Sequence, residues 1–254
     1  MTTIHRQQLL SLLSNKLNPE LVQDYCPNGL QVEGKADIGK VVTGVTASQA
    51  LIDAAVAAQA DAILVHHGYF WKGEAATITG MKKNRLQALL QHDINLFAYH
   101  LPLDVHPELG NNAQLGQMLE LAAIQPLTGI QPAGIVMQGR YPEAKTLAQV
   151  AALLEQKLGR TVLSHSAGEQ AVQQLAWCTG GGQGYIDAAA VAGVDLFVTG
   201  EVSEQTIHSS REQGIHFIAA GHHATERYGI KALGEWLATE TGITVEFIDI
   251  PNPA

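Results

Sequence analysis

Two segments of this chain spell nearly the same helix. Gln49-Ala-Leu-Ile-Asp-Ala-Ala55 matches Gln183-Gly-Tyr-Ile-Asp-Ala-Ala189 without a gap, at an offset of 134 residues. At that offset Asp61 falls on Asp195, Leu64 on Val198, Val65 on Thr199 and His67 on Glu201. Further on, Ile94-Asn-Leu-Phe-Ala98 resembles Ile215-His-Phe-Ile-Ala219. A period this long is no solenoid repeat and points to duplication of an α/β half. The alternative is chance similarity between two alanine-rich helices.

Hydrophobic periodicity fills in the plan. Ile4 to Leu17 carries leucines at helical spacing and stops at Asn18-Pro19. A polar, turn-rich segment from Tyr25 to Gly34 follows. Short β-branched runs at 41–45, 62–66 and 94–98 then alternate with helical stretches at 49–59 and 82–91. The second half repeats the alternation: strands at 175–178, 195–198, 216–219 and 244–250, helices at 183–192, 203–213 and 224–240. Such alternation predicts βαβ units and an α/β fold of two similar domains with mostly parallel sheets. Pro126 to Gly134, with two prolines and two glycines, is the expected boundary. Domains are thus expected over 1–125 and 126–254, with strand 244–250 free to return to the first.

Composition excludes several classes. Hydrophobic residues make up 46% of the 254, too many for a disordered chain. No apolar run approaches the roughly 18 residues a membrane helix needs, and Met1 to Gln8 has no secretory pattern. Cys26 and Cys178 cannot make a disulfide framework. A cytoplasmic protein with no membrane partner is expected. A net charge of -9 disfavours nucleic acid as a partner.

The eleven histidines are unevenly placed. His66-His67-Gly68 ends one predicted strand, His100 and Asp104 lie just past another, and His222, His223 and Glu226 sit at a strand-to-helix junction. One such pair is ordinarily surface polarity or a capped turn. Three clusters after strand carboxyl ends, where open parallel sheets bind ligands, point to metal. Imidazole plus carboxylate suits zinc, manganese, iron, cobalt or nickel. His222 and Glu226, four apart, share a helix face, and a carboxylate such as Asp104 or Glu226 can bridge two cations. Adjacent His66 and His67 serve one ion only if the chain turns there, and otherwise serve two. Thr179-Gly-Gly-Gly-Gln-Gly184 lacks dinucleotide spacing and reads as a tight turn. Glu201 fits a general base, an acid behind a ligand, or a helix-terminal residue equally well.

Asn28-Gly-Leu-Gln-Val, Val65-His-His-Gly68, His100-Leu-Pro-Leu-Asp104 and Gly221-His-His-Ala-Thr-Glu226 together resemble the GTP cyclohydrolase 1 type 2 homologue family, in its compact bacterial form. The resemblance spans nearly the whole chain. It implies two similar α/β domains, a dinuclear centre with two divalent metal ions per chain, and a toroidal homohexamer. Carried over by motif, the metal ligands are His66, His67, Asp104, His222 and Glu226. His100, His223 and Glu201 are carried only as groups behind the ligands or facing substrate, with Glu201 the candidate catalytic residue. The implied activity is hydrolysis of a nucleotide or phosphate-bearing small molecule, with GTP ring opening suggested by the family name. The alternative is a metal-dependent ring that binds a protein or nucleic-acid partner without turnover. Eukaryotic relatives are described as interactors of a transcriptional coactivator.

Overall fold

A computed structural model describes residues 2–254. The chain divides into two compact units. Of the described residues, one unit comprises 2–103 and 229–251; the other comprises 104–228 and 252–254.

The first unit opens with β1 (Ile4–His5), α1 (Arg6–Leu17), β2 (Gly29–Val32) and β3 (Asp37–Ile38). It continues through β4 (Lys40–Thr46), α2 (Gln49–Ala57), β5 (Ala62–His67), α3 (Gly80–Gln91) and β6 (Asn95–Ala98). Strand β13 (Thr244–Phe247) completes a five-stranded sheet in the order β13-β4-β5-β6-β2. All pairings are parallel except β2 with β6. Within that sheet β13 pairs with β4, with Thr244 opposite Lys40 and Phe247 opposite Thr43.

Strands β4, β5 and β6 are buried almost without interruption. This explains why apolar residues predominate on both faces of these strands where a half-exposed strand would alternate. Ser48 caps α2 by accepting from the Leu51 N–H. Leu51, Ile52, Ile63, Val65, Leu86, Leu89 and Leu96 share one core cluster. Each such side chain contributes roughly 1.5–3 kcal/mol when removed from water.

The second unit holds α5 (Asn111–Met118), β7 (Ala122–Pro126), β8 (Met137–Lys145), α6 (Leu147–Leu158), β9 (Leu163–His165) and β10 (Val172–Cys178). There follow α7 (Ile186–Val191), β11 (Leu196–Thr199), α8 (Glu204–Gln213), β12 (His216–Ala219) and the start of α9 (His222–Thr241). The short turn of helix α4 (Leu101–Asp104) brings the chain in, and α9 takes it out between Tyr228 and Gly229. The sheet order is β7-β8-β10-β11-β12-β9. Strands β10, β11 and β12 are parallel, with β8, β7 and β9 antiparallel on the flanks. Residues 127–136 connect β7 to β8. The core gathers Leu115, Leu119, Tyr141, Leu154, Leu175, Trp177, Leu196 and Ile218.

Each unit thus contains a three-strand parallel ladder, β4-β5-β6 or β10-β11-β12. The aspartates paired by sequence offset do the same work in each. Asp61 Oδ2 accepts from the Gly39 and Lys40 N–H groups, and Asp195 Oδ2 accepts from those of Gln173 and Gln174. The Asp61 carbonyl accepts from Asn95 N–H, and the Asp195 carbonyl from His216 N–H. An aspartate entering the second strand therefore ties down all three strands of its ladder. Burial opposes the Asp61 charge, but hydrogen bonds from Lys35, Gly39 and Lys40 outweigh it and hold the carboxyl below its ordinary range.

Candidate metal centre

In the first unit the chain leaves β5 at His67 and turns at Gly68. A Cβ on Gly68 would lie 2.2 Å from the Gln31 side-chain oxygen. That glutamine accepts from the Tyr69 N–H at 2.7 Å and donates to the Tyr69 carbonyl at 3.1 Å, which pins the turn. The turn answers the question left by two adjacent histidines. Instead of facing opposite sides of a strand, the His66 and His67 rings lie 4.4 Å apart, centroid to centroid. His66 is fully buried and its Nδ1 donates to the Tyr99 carbonyl at 3.1 Å. His67 Nδ1 pairs with the Thr46 hydroxyl at 3.2 Å.

His100 joins them, with its ring 5.1 Å from that of His66 and 5.6 Å from that of His67. Ligand atoms from the three histidines fall within 4.8 Å of one another. Trp71 packs edge-on against His100 at 4.9 Å. His100 Nδ1 donates to Asp24 Oδ1 at 2.8 Å. Burial works against the Asp24 charge, but hydrogen bonds from His100, Asn28 and the Tyr25 N–H prevail and depress its pKa.

In the second unit Asp104 and Glu226 are both nearly fully buried, and carboxylate oxygens of the two come within 4.8 Å. Asp104 Oδ1 accepts from Asn111 Nδ2 at 2.8 Å, with the Thr179 hydroxyl farther off at 3.4 Å. Asn112 braces this corner: its Oδ1 accepts from Thr179 N–H and its carbonyl from Trp177 Nε1. One helical turn brings His222 Nε2 to 3.2 Å from Glu226 Oε2. On its other side, His222 Nδ1 meets Glu201 Oε1 at 2.6 Å. Burial disfavours a charged His222 ring, but Glu226 and then Glu201 override it and raise its pKa to about 9. Cys178 lies close by. Burial pushes its thiol well up, and Asp104 and Glu226 add to the effect, so it stays a protonated, apolar-like side chain.

The glycine-rich turn after β10 acquires a purpose that the sequence did not disclose. Gly180 has φ +65, and a Cβ there would lie 2.0 Å from Glu226 Oε1 and 3.1 Å from His222 Nε2. Only glycine leaves room for this carboxylate and imidazole. The Gly180 N–H donates to the Thr225 hydroxyl, fixing the turn to the first turn of α9. Of the remaining candidates, Glu201 touches His222 and Gln183. His223 is buried on α9 and belongs to none of the donor groups described for either unit. Asp24, Asn28 and Gln31 were not singled out individually by sequence reasoning, although Asn28 and Gln31 fall in a motif quoted above.

A family model, Duf34/NIF3 (NGG1p interacting factor 3), matches residues 4–253. The chain belongs to this family. Among Duf34/NIF3 relatives, the "GTP cyclohydrolase 1 type 2 homolog" of Yersinia pestis is 61% identical over 253 residues, covering 97% of this chain and 98% of the relative. The protein of the same name from Escherichia coli K12 is 58% identical over 248 residues, with the same coverage of each chain. A solved structure described as "protein ybgI, unknown function" superposes with a TM-score of 0.95 at 56% identity, covering 99% of this chain and all of the other. A second solved structure, TTHA1606 from Thermus thermophilus, gives 0.89 at 38% identity, again over 99% of this chain and all of the other. Reduced HcgD from Methanocaldococcus jannaschii gives 0.87 at 20% identity over 98% of this chain and all of the other, and so speaks to the shared α/β fold alone. No helix among the described residues is long and apolar enough to cross a membrane.

Proposed function

We propose that His66, His67, Asp104, His222 and Glu226 share a pair of divalent cations, and that the protein is a metal-dependent hydrolase of a nucleotide or another phosphate-bearing small molecule. One observation carries the reading: Asp104 and Glu226, two carboxylates almost wholly removed from water, lie side by side with an imidazole against one of them. Two like charges buried together repel and lose hydration, a cost that a divalent cation offsets. The glycine cradle supports it, since Gly180 leaves open the space at the donor atoms themselves. Nitrogen and oxygen donors without thiolate suit zinc, manganese, iron, cobalt or nickel.

When bound, the cations supply Lewis acidity and make water acidic enough to attack near neutral pH. The chain's own residues do the rest. Glu226 and Asp104 provide negative charge held in a dry surround, where electrostatic interactions are strong. Glu201 holds the His222 ring through Nδ1, which leaves Nε2 as the nitrogen that would bind a cation and raises the basicity of the imidazole. Asn111 and Asn112 keep Asp104 and the Thr179 turn in place.

The name shared by the bacterial relatives makes GTP the first substrate to try. Metal-loaded protein is mixed with GTP and formate release is followed. Turnover that disappears in Asp104→Ala and in Glu226→Ala is expected, and turnover that survives both removes these residues from the reaction. Absence of turnover on nucleotides, phosphoesters and amides with each of several metals, with partner capture retained, would favour the non-catalytic ring. The homohexamer and a cytoplasmic location belong to the same proposal. Sedimentation at equilibrium tests the first, since a mass near that of one chain contradicts it, and fractionation of the producing cells tests the second.

A further inference from the structure

Asn28 and Gln31 lie in the polar, turn-rich segment from Tyr25 to Gly34, and Asp24 directly precedes it, yet the three side chains are organised around the histidines of the first unit. Asn28 Oδ1 accepts from the His100 N–H at 2.8 Å while its Nδ2 donates to Asp24 Oδ2 at 2.9 Å. Asp24 also accepts from the Leu101 and Tyr25 N–H groups, at 2.9 and 2.6 Å. The Asp24 carboxylate is therefore locked in place, and so is the imidazole that donates to it. Gln31 does the corresponding work behind His66 and His67 by clamping Tyr69.

The three rings share one pattern. His66 Nδ1 is engaged by the Tyr99 carbonyl, His67 Nδ1 by the Thr46 hydroxyl, and His100 Nδ1 by the Asp24 carboxylate. Metal-ligating histidines characteristically have the other ring nitrogen held by a carbonyl, hydroxyl or carboxylate, which sets the tautomer and makes the remaining nitrogen the ligand. In all three that nitrogen is Nε2. We infer that His100, positioned by Asp24, is a third imidazole ligand beside His66 and His67 for a divalent cation.

Another grouping competes for His100, because donor atoms of Asp24, Cys26 and His100 also fall within 4.8 Å of one another. Cys26 weighs against a site there. Burial and then the Asp24 charge push its thiol up to about 12, so it offers no thiolate near neutral pH. The Asp24 oxygens, moreover, are taken by four hydrogen bonds from this same segment and from His100 and Leu101.

This inference rests on the metal reading proposed above, and its test separates the two. Full-length protein is stripped with chelator and titrated with zinc against a chromophoric chelator, as wild type, His66→Ala, His100→Ala and Asp24→Asn. Wild type and the variants are compared by circular dichroism first. His100→Ala should weaken the tighter or the weaker zinc by at least about tenfold, with added imidazole restoring part of the loss, and Asp24→Asn should weaken it by about 10–100-fold. Zinc-soaked wild-type crystals supply a measurement that needs no variant: His100 Nε2 should lie roughly 2.0–2.1 Å from an ion. A His100→Ala titration identical to wild type while His66→Ala is impaired, or a zinc ion bound by His66 with His100 out of coordination range, overturns the role of His100 alone. A wild type that takes up no zinc overturns the metal reading as well.

Discussion

Replacing Gly180 by alanine puts the cradle to its most direct test. Two costs can be separated. The first is conformational: φ is +65, and an L-residue with a Cβ in the left-handed region pays about 1–2 kcal/mol. The second is steric, because the new methyl would sit 2.0 Å from Glu226 Oε1 and 3.0 Å from Glu226 Cδ. Since ordinary contact begins near 3.4 Å, the carboxylate must retreat by more than about 1 Å in a packed interior, an overpacking cost of about 1–3 kcal/mol. Gly159 and Gly214 provide controls. Each has φ +69 at the end of a helix, and a Cβ at either meets nothing within 4 Å. Gly159→Ala and Gly214→Ala should therefore show only the conformational cost, and Gly180→Ala the sum. Urea unfolding of the metal-free proteins measures the difference, and zinc titration of the same samples measures what the displaced carboxylate does to affinity. We expect Gly180→Ala to be less stable than the controls by about 1–3 kcal/mol and to bind zinc at least about tenfold more weakly, as befits a displaced ligand. Gly180→Ala with the stability and zinc affinity of Gly159→Ala would refute the claim that this turn is glycine-rich to make room for Glu226.

Other expectations follow from single contacts. Glu201→Ala removes the carboxylate at His222 Nδ1 and should lower metal affinity by about 10–100-fold with little change in fold, measured by chelator competition. Unchanged affinity would remove Glu201 from the support of the metal centre. Asp61→Asn keeps the size but loses the charge that accepts from Lys35, Gly39 and Lys40, and should cost about 1–3 kcal/mol in denaturant unfolding. The folded-state pKa of Asp61 is depressed, so its contribution is present above the unfolded value near 4 and lost as pH falls toward the folded one. The acid limb of the stability profile should be shallower in Asp61→Asn, and an identical limb in the two proteins would contradict the pinning role. Stripping bound metal should lower the unfolding midpoint, since an ion at a hundred times its Kd stabilises the folded state by about 2.7 kcal/mol. Equal midpoints with and without chelator would count against Asp104 and Glu226 needing a cation.

Much of the fold could be read along the chain because the signals are local. Val41 to Val45 and Ala62 to His66 are mainly apolar runs of strand length, and Gln49 onward has helical spacing. The structure returns β4, β5 and α2 within a residue or two of those readings. The histidine-bearing segments stood out for the same reason: His66 and His67 end β5, and His100 and His222 lie just past β6 and β12. The segment from Pro19 to Gly34 was not legible. Its strand β2 is four residues long and exists through antiparallel pairing with β6, more than sixty residues away in sequence. No local period announces a partner that distant.

Residue types and spacing alone determined that imidazoles and carboxylates stand at the ends of β5, β6 and β12, and therefore which side chains deserved attention. Which nitrogen of each histidine is occupied, that Asp24 reaches His100 and Glu201 reaches His222, and that Gly180 must be glycine were decided only by tertiary structure. The reason is physical: donor chemistry is a property of a single residue, whereas a tautomer, a buried charge or a 2 Å gap is a property of whatever the folded chain brings against it.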